Sequence, residues 1–142
     1  MSEHTRRPRS SGRLTAITLF AIAGLHVAWG LGSSFPFQNR EELADSVVGR
    51  DEMPSMMECM AVASLLVLAA TLVAGLIALP PRIRGIALRA VTVVLTTRGI
   101  AGAMGRTSRI SPRSESLAFV RLDKRLYSPL CLWLAAGVRR SV

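Results

Sequence analysis

What this sequence lacks first is charge over a long stretch: from Cys59 to Leu79 there is no Asp, Glu, Lys or Arg. A helix over that stretch, at about 1.5 Å per residue, matches the roughly 30 Å hydrocarbon core of a bilayer. A soluble core helix would show a polar position every turn or so, and Leu65 to Leu79 offers only Thr71. That absence excludes the soluble classes, and in lipid a helix is the form that satisfies its own backbone. Lysine is almost missing too. Lys124 is the single one among eighteen basic residues, the signature of a GC-rich, bacterial genome. With two cysteines, Cys59 and Cys131, in or beside apolar segments, buried free thiols are expected.

Catalytic and nucleotide signatures are missing as well. No nucleophile triad, zinc-ligand spacing, phosphate-binding loop or dinucleotide fingerprint occurs. The methionines near Met53, Met56, Met57 and Met60, with Cys59, suggest a soft copper(I) site. Methionine as filler at a bilayer boundary is the plainer reading, so neither metal nor cofactor is expected. The net charge of +9 could point to nucleic acid, but the arginines flank apolar segments instead of forming one face. The lipid bilayer is therefore the expected partner, and nucleic acid is not.

What is present organises into one all-α membrane domain behind a basic, disordered tail at 1–13. Apolar helices are expected at about 14–31, 57–79, 86–104 and 126–140, ended or separated by Pro80-Pro81, a basic turn (Arg82, Arg84, Arg89) and two polar loops. Ala21-Ile22-Ala23 matches a signal-peptidase site, but cutting there leaves too short an apolar core, so a retained first helix is expected. Ala70, Ala74 and Ala78 form a stripe of small residues for helix packing. The last segment, from Ser128 as cap and Pro129 as first helical residue to Arg139-Arg140, is short for a crossing. The bundle is thus four transmembrane helices, or three full ones and one short.

The basic N-terminus and basic turn argue for a cytoplasmic N-terminus, although the loop at 105–125 is also basic. In an up-down bundle His26, Trp29, Glu58, Arg98, Asp123 and Tyr127 then share the outer end. Arg98 lies at helix depth, where a cation needs a partner or a cavity, and Glu58 and Asp123 are the candidates.

The run Phe119-Val120-Arg121-Leu122-Asp123-Lys124-Arg125-Leu126-Tyr127-Ser128-Pro129-Leu130-Cys131 resembles the closing motif of bacterial membrane proteins classed as domain of unknown function 3995. His26 and Trp29 in Leu25–Gly32, and Arg98-Gly99, are similar to that family's first-helix and third-helix patterns. The resemblance implies four spans and a membrane location, with Arg121, Asp123, Tyr127, Ser128 and Pro129 on the motif, and implies no activity. The expected function is that of a small multi-pass protein of the cell membrane. It would be a non-enzymatic accessory or small-ligand binder, working with a homo-oligomer or membrane partner protein. The alternatives are a membrane enzyme on a lipid-like substrate and a small oligomeric transporter.

Overall fold

A computed structural model describes residues 10–107 and 116–142, and every element among them is helical. Helix α1 (Ser10–Gly30) begins inside the stretch expected to be tail. Once a helix is nucleated, each added residue gains a hydrogen bond, so it extends past the apolar run through residues such as Arg13. Residues 1–9 of the expected tail lie outside the described residues. The loop that follows is not wholly irregular. Asn39 caps a short α2 (Arg40–Leu43), which widens into a π-helical turn, Ala44–Val48.

Helix α3 (Met56–Ala74) opens with a capping box: the Ser55 backbone N–H donates to the Glu58 carboxylate (2.7 Å), and the Glu58 N–H donates to Ser55 Oγ. It stops five residues before the expected Leu79. Gly75, at φ +71°, takes the left-handed conformation that closes a helix, so the uncharged run is a helix plus a connecting loop. Ala78 therefore leaves the alanine stripe, while Ala70 is fully buried. Helix α4 (Pro81–Ala103) starts earlier than expected because Pro81, without an N–H to lose, suits a first turn.

The final segment differs most from expectation. Helix α5 (Leu117–Leu122), capped by Ser116, runs through a π-helical turn, Asp123–Tyr127, into α6 (Ser128–Arg139). Ser128 is thus inside a continuous helix, not its cap. Pro129 has no N–H for the ladder, so the turn before it is free to widen.

The helices pack α1 on α3 and α4 on α6, with α1–α6 and α3–α4 contacts closing the bundle. All neighbours are antiparallel: Gly30 meets Cys59 and Met60, Gly137 meets Thr15, and Gly99 meets Ser128 and Leu132. A core of Leu19, Ala70, Val73, Leu88, Leu134 and Val138 fills one half. A smaller core of Trp29, Leu43 and Cys59 sits beneath the first loop.

Helices α1, α3 and α4 are long and apolar enough to cross a membrane, yet only 28%, 33% and 22% of those spans is buried within the chain. The remaining surface carries Ile17, Leu65, Val93 and Val94, each more than 60% exposed. Water would penalise so continuous an apolar exterior, and lipid would not.

Candidate functional site

The end of the bundle holding the first loop gathers the C-terminal ends of α1 and α4, the start of α3 and the α5–α6 junction. His26, Trp29, Glu58, Arg98, Asp123 and Tyr127 all lie at this end, but they separate into distinct groups.

Asp123 is the centre of the largest. It is 1% exposed, and Arg98 Nη2 lies 2.9 Å from its Oδ1. Arg98 Nη1 also donates to Oδ2 (3.3 Å), Ser128 Oγ donates to Oδ1 (3.1 Å), and the Thr107 hydroxyl donates to Oδ2. A buried carboxylate is tolerated when its lone pairs are satisfied in this way. The π turn makes the arrangement possible. In an α-helix, residues five apart point about 140° away from each other. Here the Ser128 N–H bonds the Asp123 carbonyl, five residues back, and both side chains face α4. Gly102 on α4 supplies the space. A Cβ there would lie 2.7 Å from both Asp123 Oδ1 and Arg98 Nη1, and would run into Ser128 Oγ.

The second group is His26 with Trp29, their rings 5.0 Å apart. His26 Nδ1 donates to the Ile22 carbonyl (2.8 Å), and Trp29 Nε1 donates to the Phe35 carbonyl (2.6 Å). Arg40 reaches the Trp29 carbonyl (3.1 Å) and so caps the end of α1. This group anchors the first loop to the helix it leaves. Glu58 belongs to neither: it is held by Ser55 in the capping box, and Arg98 pairs with Asp123 instead. Glu58 was one of two candidate partners because sequence order shows only that it shares an end with Arg98.

Tyr127 connects the closing motif to the loop. Its hydroxyl donates to the Ser46 carbonyl (3.2 Å), and its ring lies 6.3 Å from Phe119. Phe119 is buried under Gly49, whose φ of +75° and lack of a Cβ admit the ring. Arg121 and Pro129 are exposed. Beside this junction a cleft of about 850 Å³ is lined by Asp45, Asp51, Glu52 and Glu58 together with Arg50 and Ser116.

The methionines do not converge. Met56 and Met57 are exposed, Met53 packs under the loop, and Met60 lies against Gly30. Cys59 and Cys131 are free thiols. Among the described residues no group of His, Cys, Asp or Glu is placed to hold a metal ion. Sequence reasoning missed Thr107, which no pattern marks, and read Arg84 only as part of a basic turn, because its interactions are entirely tertiary.

Residues 19–138 match the model of a family described as protein of unknown function, DUF3995. Neither a curated protein nor a solved structure matches the chain.

Proposed function

The chain belongs to the DUF3995 family of proteins of unknown function, and on that premise we propose that it acts without catalysis, as a small accessory or ligand-binding protein of the cell membrane. The observation that supports this most is the commitment of both candidate carboxylates, Asp123 and Glu58, to the fold. Asp123 is taken up by Arg98, Ser128 and Thr107, Glu58 by Ser55, and His26 Nδ1 by a backbone carbonyl. A general acid or base must be able to reach substrate, and an ion-coupling carboxylate must be able to change partners. Groups tied into caps and ion pairs instead hold a scaffold.

In this reading the chain crosses the bilayer four times. The stretch 117–139 is helical over roughly 34 Å, and its apolar part, α6, packed on α4 and α1, is the short fourth crossing. The N-terminus is cytoplasmic. Arg13, Arg82, Arg84, Arg89, Arg139 and Arg140 share one end, and the basic start of the first helix, which usually dominates orientation, belongs to it. Action then belongs to the opposite, outward end, where the carboxylate-lined cleft is open beside the first loop.

A lipidome of cells lacking the chain tests the non-catalytic reading. The expected result is an unchanged set of lipid species. Accumulation of one lipid intermediate, reversed by the wild-type chain, would replace it with a membrane enzyme on a lipid-like substrate.

A further inference from the structure

At the opposite end of the bundle from the polar groups, α4 and α6 leave a groove of about 470 Å³ between them. It exists because short side chains face each other there. Thr92 and Thr96, one turn apart on α4, stand opposite Ala135 and Ala136 on α6, with Leu132 deeper along the same face. Arg139 and Arg140 close its mouth, and both are exposed. The register that sets Gly99 against Ser128 and Leu132 brings Thr92 about level with the Arg139 turn and Thr96 about one turn deeper.

We infer that this groove holds one anionic glycerophospholipid. Its chemistry changes with depth as such a lipid does. Two guanidiniums meet a phosphodiester, to which arginine binds through paired N–H donors. Below them Thr96 lies at the depth of the ester carbonyls, one turn deeper than Thr92, whose hydroxyl donates to the Leu88 carbonyl (2.8 Å). Leu132 and Ala136 then offer an apolar wall to the upper acyl chain. No side-chain carboxylate lies at this end among the described residues to neutralise the two arginines. On the outer faces of α4, exposed Ile83, Ile86, Val93 and Val94 continue the apolar exterior, so lipid surrounds the helix that walls the groove. The site needs the membrane setting and not the absence of catalysis, so it stands or falls separately from the function proposed above.

Native mass spectrometry of the full chain in detergent tests the site, using dioleoyl phosphatidylglycerol and dioleoyl phosphatidylcholine, whose acyl chains are the same. The wild-type chain is expected to retain the anionic lipid about tenfold better. Arg139→Gln with Arg140→Gln should bring retention down to the level of the zwitterionic lipid. Arg13→Gln with Arg82→Gln, removing equal charge from the same end away from the groove, should leave the preference in place. Ala136→Leu fills the groove without altering charge and should lower retention of both lipids. Its position is exposed, so it remains informative if the double arginine variant does not fold. Equal retention of the two lipids by the wild-type chain would overturn the site. So would an equal loss from the two arginine pairs, which would mean diffuse charge attraction, or full retention by Ala136→Leu.

Discussion

Arg98 and Asp123 show how unequal the two halves of an ion pair can be. The Arg98 side chain is 29% exposed and that of Asp123 is 2% exposed. Without Asp123, the guanidinium can reach toward the bilayer surface; without Arg98, a buried carboxylate keeps only the Ser128 and Thr107 hydroxyls. Removing one partner of a buried pair costs about 3–5 kcal/mol, and the larger cost belongs to the loss that strands the buried charge. Arg98→Ala is therefore expected to lower the melting midpoint of the purified protein more than Asp123→Ala. The reverse order would assign the larger cost to the buried Ser128 and Thr107 hydroxyls that Asp123→Ala leaves without their acceptor. Gly102→Ala should also be destabilising, because its Cβ enters the space shared by Arg98, Asp123 and Ser128. Gly24→Ala is its control. Nothing lies within 4 Å of a Cβ at Gly24, so the change should gain about 0.5–1 kcal/mol of helix preference. Arg98 was legible from sequence as a cation needing a partner. Its choice of Asp123 over Glu58 was not, because a one-residue widening of the last helix decides which way Asp123 points.

At the scale of elements, the helix starts carry local caps, whereas the ends of α1 and α3 lack a local cation. Ser55 with Glu58, Asn39, Pro81 and Ser116 are each readable as starts. The last turns of α1 and α3 contain no basic residue to meet their exposed carbonyls. Arginines distant in sequence do so instead. Arg40 reaches the end of α1, while Arg84 donates to the Leu72 carbonyl of α3 (3.2 Å) and to the Ser141 carbonyl beyond α6 (3.1 Å). A cation at a helix C-terminus contributes about 0.3–1 kcal/mol, and a charged hydrogen bond about 1.5–3 kcal/mol. Arg84→Gln should accordingly destabilise the protein by about 1–3 kcal/mol, read as a lower melting midpoint. Arg82→Gln, at an exposed position in the same turn, should have little effect. Equal effects would assign Arg84 to surface charge alone.

For the molecule as a whole, the end that gathers Arg13, Arg82, Arg84, Arg139 and Arg140 and the end bearing the first loop give orientation a direct test. Single cysteines replacing the exposed Gln38 and Ala78 report on opposite ends. With a membrane-impermeant maleimide on intact cells, Gln38→Cys should be labelled at once and Ala78→Cys only after permeabilisation. The opposite pattern would place the N-terminus outside.

The uncharged run from Cys59 to Leu79 was enough to show that apolar helices build this protein, because the hydrophobic cost of such a segment depends on composition alone. The closing motif was likewise enough to suggest the family to which the chain belongs. Where the run stops being helix depended on one backbone angle at Gly75, and a loop was as compatible with its composition as another turn. Partner choice at Asp123, the trans-acting cap of Arg84 and the groove between α4 and α6 are relations between residues far apart in the chain. Periodicity and composition describe one segment at a time. Only packing sets the rotation and register of one helix against another, and these decide which polar groups meet.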